Sequence, residues 1–237
     1  MTERRYTHDR GTHNQRAARR VVPVIVERFR PKRVIDVGCG LGTWMRVFAE
    51  LGCEARGLEG EVIPAAMLDV PPDWVQVVDL EAGRAGLDKF DLALCLEVAE
   101  HLSPEGGDRL IDLLTSAADV VVFGAAVPGQ GGDHHVNEQW PEYWRSRFHA
   151  RGFSFEDELR ELFWDDEDVD WWYRQNMFLA RRGGGTSGTA RALVHPGLLK
   201  KKVAIEDNFY RGRIPLKTGF IIFARSLLHA AKRRLRL

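Results

Sequence analysis

A glycine-rich turn between an apolar strand and a helix constrains this chain more than any other feature. The segment from Val34 to Gly42 reads Val-Ile-Asp-Val-Gly-Cys-Gly-Leu-Gly, and a helical pattern begins directly afterwards at Thr43. Apolar residues that lead into alternating glycines indicate a buried parallel strand followed by a tight turn. Glycine permits positive φ and lets a ligand lie against the backbone, and the helix N-terminus offers unpaired N–H groups. The sequence therefore predicts a ligand-binding strand–turn–helix unit.

The spacing of the glycines distinguishes two classes of nucleotide-binding turn. Gly38, Gly40 and Gly42 form a G-x-G-x-G pattern, and Asp36 lies two residues before it. A dinucleotide-binding turn has its third glycine one residue later, so the spacing disfavours a nicotinamide oxidoreductase. Glu59 ends the next predicted strand, where a carboxylate accepts the hydrogen bonds of a ribose diol. These residues predict a site for a cofactor that contains a nucleoside.

Length, charge and cysteine content narrow the class of protein further. The 237 residues, 44% hydrophobic and 29% charged, suffice for one α/β domain and some additional chain. The formal net charge is +0, so nothing global indicates a nucleic acid partner. The three cysteines show no disulfide or zinc pattern, and no signal-peptide core or membrane-length apolar run is present. We therefore expect a cytoplasmic protein without stable membrane insertion.

The remaining chain divides into a domain and a tail. After the first strand, further strands are predicted at 54–60, 74–80, 90–98, 119–125, from 152 onward and at 177–180, with helices between them. Residues 183–188 indicate a Gly/Ser/Thr linker, which separates a domain at 1–182 from a basic amphipathic tail at 183–237. The tail is expected to pack on the acidic region of its own or a neighbouring subunit, which leaves a homo-oligomer open. Binding to an anionic membrane surface is the alternative.

A glycine-rich polar loop at 125–141 follows the predicted fifth strand and carries two adjacent histidines. Ligands of open α/β sheets lie at the carboxyl ends of the strands, so we expect this loop beside the reacting groups. His134 and His135 are the candidates for a general base that deprotonates an acceptor hydroxyl, and His135 is the first choice. Asp133 or Glu138 is predicted to orient the imidazole. The same residues offer metal ligands, but neither spacing nor ligand mix is diagnostic, so no metal is predicted.

Several of these segments resemble the class I S-adenosylmethionine-dependent methyltransferases. Asp-x-Gly-x-Gly-x-Gly at 36–42 resembles the first motif of that family, and Glu-Val-Ala-Glu-His-Leu at 97–102 resembles its motif after the fourth strand. The loop at 125–141 and Trp-Trp-Tyr-Arg-Gln-Asn at 171–176 resemble a bacterial group that modifies sugars, glycoconjugates and other small metabolites. The resemblance implies S-adenosylmethionine as cofactor. It also implies a Rossmann-like, seven-stranded, mostly parallel sheet with helices on both faces and an antiparallel last strand.

The resemblance assigns site residues as well. It puts Asp79 at the adenine amino group and Glu97 near the methionine half of the cofactor, while His101 is expected to be structural. The implied cofactor-binding set is Asp36, Gly38, Cys39, Gly40, Gly42, Glu59, Asp79, Leu80, Glu97 and Val98.

The expected acceptor is a small molecule. We expect O-methylation of a sugar, glycoconjugate or natural-product hydroxyl, with N-methylation of an amino sugar as the alternative. A nucleic-acid methyltransferase is disfavoured, because the sequence has no Asn-Pro-Pro-Tyr-like base-flipping motif and no basic stripe in the predicted catalytic domain. A non-catalytic ligand-binding protein is disfavoured by the polar loop after the fifth strand.

Overall fold

The protein is built around a six-stranded twisted sheet with helices on both faces. The computed structural model describes residues 10–11, 13–83, 86–185, 190–211 and 213. The strands are β1 (Arg33–Val37), β2 (Glu54–Glu59), β3 (Val75–Val77), β4 (Leu92–Leu96), β5 (Val120–Gly124) and β6 (Met177–Arg181). Their order is β3-β2-β1-β4-β5-β6, and only β6 runs antiparallel. The mostly parallel sheet with an antiparallel last strand is thus confirmed.

The predicted number of seven strands is wrong, since the described residues form six. The missing one is the strand expected from Gly152. This segment makes only two isolated antiparallel bridges, Phe153 to Arg182 and Glu156 to Leu179. Its side chains pack into the core, because Phe155 stacks on Phe178 with ring centroids 4.6 Å apart. An apolar pattern predicted burial correctly, but a strand also needs a continuous hydrogen-bonded partner.

Seven α-helices connect and cover the strands within the described residues. They are α1 (Arg16–Phe29), α2 (Thr43–Glu50), α3 (Pro104–Ala117), α4 (Pro141–His149), α5 (Glu158–Phe163), α6 (Trp171–Asn176) and α7 (Pro196–Tyr210). Helix α3 begins at Pro104, directly after its N-cap residue Ser103. Ser103 supplies the reason: its hydroxyl accepts a hydrogen bond from the N–H of Gly106 at 3.0 Å, and Pro104 occupies the first helical position.

Alternating strand residues divide the core into two layers. Ile35, Ala93 and Phe123 belong to the layer covered by α3 and α4. Val34, Leu92, Leu94 and Val122 belong to the opposite layer, which α1, α2 and α5 cover. Because successive side chains of a strand point to opposite faces, near-continuous apolar strands are what a sheet covered on both sides requires.

The strand order places a crevice at the site suggested by the sequence. The chain runs from β1 outward to β2 and β3, and then returns to β4 on the other side of β1. Loops that leave the carboxyl ends of β1 and β4 therefore diverge, and ligands of open α/β sheets bind at such a switch point. The glycine turn follows β1, and Glu97 directly follows β4.

The chain divides into two compact units, residues 1–195 and 196–237. The first contains the sheet, and the second contains α7. The predicted amphipathic stripe beyond residue 219 lies outside the described residues. None of the helices in the described ranges is long and apolar enough to span a membrane.

Candidate active site

The glycine turn after β1 has the left-handed backbone that its sequence predicts. The φ angles of Gly38, Gly40 and Gly42 are 77°, 53° and 77°. The turn is anchored to β2, because the N–H groups of Gly38 and Cys39 donate to the carbonyl of Leu58 at 2.8 and 3.0 Å. A Cβ on Gly38 would lie 2.3 Å from Cγ2 of Val98, so this position is closed to any side chain. Glycine is required here by both φ and close packing.

Glu59 lies against this turn, as predicted from its place at the end of β2. Its Oε2 accepts the N–H of Gly40 at 2.7 Å, and its Oε1 accepts the N–H of Gly60 at 2.8 Å. Burial raises the pKa of the carboxyl, and the two backbone donors oppose that change. A carboxylate has about four acceptor positions, so Glu59 retains capacity for the hydroxyls of a ligand.

Asp36 is a buried carboxyl group at the carboxyl end of β1. Its Oδ2 is enclosed and has no hydrogen-bond partner among the described residues. Burial, followed by the charge of Glu59, raises its pKa to about 8. A buried acceptor without a partner beside an open glycine backbone suits a ligand that brings a cationic or N–H group.

The other members of the predicted cofactor set are positioned by different parts of the chain. The Cys39 side chain is buried against the β2 backbone, since a Cβ on Gly57 would lie 2.6 Å from its Sγ. Cys39 can therefore meet a ligand through its backbone rather than its thiol. Asp79 is exposed after β3, where its Oδ1 accepts the N–H of Ala82 at 3.3 Å, and Leu80 is buried beside it.

Glu97 is the junction between β4 and the rest of the site. It adopts a left-handed backbone with φ of 57°, which is rare for a residue with a side chain. Its Oε1 accepts from Asn176 at 2.8 Å and its Oε2 from Gln130 at 2.9 Å. Burial raises its pKa to about 7, although both amide donors act to lower it. Strained backbone at such a position is typical of functional sites.

The amides that hold Glu97 form a buried network that the sequence did not reveal. Gln130 Oε1 accepts from Asn176 Nδ2 at 3.0 Å and from Gln175 Nε2 at 3.1 Å. Gln175 Oε1 in turn accepts the N–H of His195 at 2.8 Å. The network joins the loop after β5, the helix α6 and the segment before α7. The only signal for it was the polar end of the 171–176 motif.

The histidine loop docks on the turn that follows β4. The N–H groups of Val136 and Asn137 donate to the carbonyl of Glu100 at 2.8 and 3.0 Å. His135 Nδ1 lies 2.9 Å from Glu138 Oε1, and this carboxylate also accepts the N–H groups of Gly129 and Gly131. Burial acts to raise the pKa of Glu138, but these hydrogen bonds, with that of His135 the largest, leave it below its usual value.

The two adjacent histidines have different surroundings. His135 is mostly buried and is paired with Glu138, one of the two carboxylates considered from the sequence, and the roles of base and orienting carboxylate stay predictions. His134 is exposed, has φ of 53°, and its Nε2 lies 3.8 Å from Asp133 Oδ1. The structure thus brings His135 and Glu138 together, whereas His134 is exposed beside Asp133.

A profile of known protein families gives the class of this chain. Residues 6–166 match the family described as "Methyltransferase domain". The chain belongs to this family. With the fold described above, it is an S-adenosylmethionine-dependent methyltransferase of the class I type. No curated protein matches the methyltransferase.

Solved structures share the fold of this methyltransferase. It is similar to magnesium protoporphyrin IX methyltransferase from Synechocystis PCC 6803 with bound S-adenosylhomocysteine, at 19% identity and TM-score 0.53, over 71% of this chain and 83% of that one. It is also similar to a SAM-bound amino pentose methyltransferase from Micromonospora echinaspora, at 18% identity and TM-score 0.52, over 77% and 100%. DesVI from Streptomyces venezuelae is similar at 14% identity and TM-score 0.54, over 75% of this chain and 100% of that one.

A second cluster of ionisable side chains lies beside the His135–Glu138 pair of the methyltransferase. Glu100 and His101, from the 3-10 turn Ala99–His101, approach His135 so that one ligand atom from each lies within 4.8 Å of the others. The rings of His101 and His135 meet edge to face with centroids 4.9 Å apart. Burial and then His135 lower the pKa of His101 to about 4. The ring of His101 thus contacts the loop through His135, and its structural role stays a prediction.

Proposed function

We propose that this methyltransferase methylates a hydroxyl of a small molecule, namely a sugar, a glycoconjugate or another natural product, with His135 as the general base. One observation carries the proposal. The His135–Glu138 pair is mostly buried in a loop that is hydrogen-bonded to the turn after β4, next to the crevice between β1 and β4. A histidine paired with a carboxylate is the arrangement that hydroxyl deprotonation near neutral pH requires.

The glycine turn, Asp36 and Glu59 are the residues that we propose hold the cofactor. The fit rests on the left-handed glycine backbone, on the unpartnered Oδ2 of Asp36 and on the remaining acceptor positions of Glu59. Asp36 would accept from the cationic amino group of the cofactor, and Glu59 from its ribose. Leu80, Asp79, Glu97 and Val98 border the same edge of the sheet and complete the proposed set. S-adenosylmethionine supplies an electrophilic methyl group on its sulfonium.

The hydrogen bond between His135 and Glu138 defines which ring nitrogen acts. Glu138 accepts a hydrogen bond from the Nδ1–H of His135. Nε2 therefore carries the lone pair that takes the proton of the acceptor hydroxyl. Glu138 then stabilises the imidazolium by charge, as the carboxylate of a catalytic triad does. The deprotonated acceptor oxygen would take the methyl group that the cofactor supplies, and His135 would hold the hydroxyl proton until solvent removes it.

N-methylation of an amino sugar is a second candidate, supported by the similarity to the amino pentose methyltransferase. A neutral amine carries its own lone pair, so it needs positioning at the methyl group more than it needs a base. The two acceptor types therefore differ in how strongly they depend on His135.

The test is methyl transfer by His135→Ala from labelled S-adenosylmethionine, with mass spectrometry of sugar, glycoside and amino sugar acceptors that the wild type methylates. Loss of a general base is expected to lower turnover on a hydroxyl by about 10²- to 10⁴-fold. Binding of S-adenosylhomocysteine, measured by calorimetry, is expected to stay unchanged, because His135 acts on the acceptor.

His149→Ala, on α4 and outside the loop, is the matched control and should keep full turnover. Near-normal turnover of His135→Ala on a hydroxyl acceptor would refute the proposed role of His135. Such turnover confined to amine acceptors would favour N-methylation.

A further inference from the structure

Glu100 is a carboxyl group that the fold buries without satisfying. It is 0% exposed, and neither of its carboxyl oxygens has a hydrogen-bond partner in the part of the chain that the structure describes. The nearby acidic groups, Glu97 and Glu138, add negative charge, and the backbone N–H groups of Glu100 and Ala126 oppose their effect on the pKa of this carboxyl. Burying an ionised carboxylate costs several kcal/mol unless a cation or hydrogen-bond donors replace water. A partner of positive charge would therefore stabilise the ionised form of Glu100 at this position.

Two imidazoles converge on the same point. His101 follows Glu100 directly in the turn after β4, and His135 reaches it from the loop after β5. The three candidate ligand atoms, one per residue, lie within 4.8 Å of one another. Two nitrogens and one oxygen form a ligand set that suits divalent first-row transition metals, and catalytic zinc sites use three protein ligands with a position left open.

The surroundings of His135 match those of a metal ligand. Metal-binding histidines donate their second ring N–H to a carboxylate, which sets the tautomer. Glu138 does this at Nδ1, which leaves Nε2 for the metal. Gly132 lies next to this nitrogen, and a Cβ there would come within 2.2 Å of Nε2. Glycine at 132 is thus what allows Nε2 to remain in this position.

We propose that Glu100, His101 and His135 bind one divalent transition-metal ion, with Glu138 as the residue that orients His135. An acceptor hydroxyl in the open position would have its pKa lowered by the ion. This part deepens the proposed hydroxyl methylation and rests on it: with the ion bound, Nε2 of His135 would be a ligand of the ion rather than the base, and the proton of the ion-bound hydroxyl would pass to solvent. The binding of the metal itself does not depend on the acceptor.

The experiment is calorimetric titration of the full-length protein, freed of metal with a chelator, with Zn²⁺ alone. One ion per chain is expected. Glu138→Gln should weaken Zn²⁺ binding by about 10- to 100-fold, the usual effect of losing the partner of a ligating histidine. Glu100→Gln and His135→Ala should weaken it further, because each removes a ligand. His134→Ala, the exposed neighbour, is the control and should bind Zn²⁺ like the wild type.

Thermal unfolding provides a second measurement that also checks folding. Zn²⁺ is expected to raise the Tm of the wild type, because it binds the native state, and to leave that of Glu100→Gln unchanged. Glu100→Gln keeps the shape and removes a buried charge, so it should fold at least as stably as the wild type without metal. Absence of Zn²⁺ binding to the wild type would overturn the proposal. Binding that Glu100→Gln and His135→Ala leave intact would overturn it equally.

Activity separates this proposal from the proposed function. Full methylation of a hydroxyl by chelator-treated protein that binds no Zn²⁺ would refute the metal site and retain the function. Site-specific Zn²⁺ binding without methylation of any hydroxyl would refute the proposed hydroxyl methylation and retain the metal site.

Discussion

Asp36 is a buried and Glu97 a partly buried carboxyl group at the ends of two adjacent strands, β1 and β4. The pKa of Asp36 is raised to about 8 and that of Glu97 to about 7, in both cases mainly by burial. The two differ in their partners. Glu97 is held by two amides, whereas Oδ2 of Asp36 has no partner among the described residues. Asp36 therefore lowers the stability of the ligand-free fold in a way that a cationic ligand can reverse.

Asp36→Asn is expected to stabilise the ligand-free protein as the pH rises. Between about pH 4, the ordinary pKa of aspartate, and about 8, the folded state binds more protons at this group than the unfolded chain does. The contribution of Asp36 to the free energy of unfolding is thus fully present below pH 4 and is lost as the pH rises through 8. At pH 8 we expect Asp36→Asn to unfold with a Tm roughly 2–4 °C or more above the wild type, as for a gain of about 1 kcal/mol.

The difference between the two proteins should vanish near pH 4, and calorimetry should show weaker binding of S-adenosylhomocysteine to Asp36→Asn. The exposed Asp73→Asn is the control and should behave as wild type in both measurements. A constant Tm difference across this pH range would contradict the explanation.

Helix α6 acts on the site through its last two residues, although it comprises only six. Gln175 and Asn176 are buried and connect Glu97 to the loop after β5. The same helix places Tyr173 edge to face with Trp44 of α2, with centroids 5.3 Å apart. Burial raises the pKa of Tyr173 well above its usual value, so this phenol stays neutral. Helix α6 thus links the helix that follows the glycine turn to the loop after β5.

Asn176→Asp is expected to destabilise the protein by about 1–3 kcal/mol at pH 8, the cost of leaving a buried polar group without a suitable partner. The new carboxylate would lie where Nδ2 now donates to Glu97 at 2.8 Å, and two buried carboxylates at that distance do not both ionise. The measure is urea denaturation at pH 5 and pH 8, with a larger loss at pH 8. Asn208→Asp, exposed on α7, is the control. Equal losses at both pH values would exclude charge repulsion.

The elements show how far sequence reasoning extends. The strand–turn–helix unit and the place of Glu59 follow from local patterns, and the structure has both. The loop sequence offered two histidines and two carboxylates, and the structure pairs His135 with Glu138. The sixth predicted strand fails because pairing depends on a partner distant in sequence. The burial of Glu100 was missed for the same reason, because it depends on a loop that returns more than thirty residues later.

At the scale of the whole chain, the segment before α7 belongs with the sheet domain. His195 donates its N–H to Gln175 at 2.8 Å, and the carbonyl of Arg191 accepts from the buried Arg160 at 2.9 Å. The compact unit accordingly extends to residue 195. The Gly/Ser/Thr stretch predicts a boundary at residue 182, which lies inside this unit. Composition marks a linker, but it does not show where the chain after the linker packs.

We expect a chain that ends at His195 to bind S-adenosylhomocysteine with the affinity of the full-length protein. A chain that ends at Arg182 should still bind it but unfold at lower urea concentration, since Gln175 and Arg160 lose buried partners at about 1–3 kcal/mol each. Calorimetry and urea denaturation of both truncations against the full chain measure this. Equal stability of the two truncations would mean that residues 190–195 contribute nothing to the first unit.

The single carboxylate of Glu138 has a further consequence for how an acceptor is selected. By accepting from Gly129, Gly131 and His135 at once, it closes residues 129–138 into a ring of hydrogen bonds. The conformational entropy of this stretch is therefore lost during folding and not at each binding event. Its three glycines would otherwise make it one of the least ordered parts of the chain. For the acceptor that we propose binds beside this loop, the receiving surface is thus organised before binding.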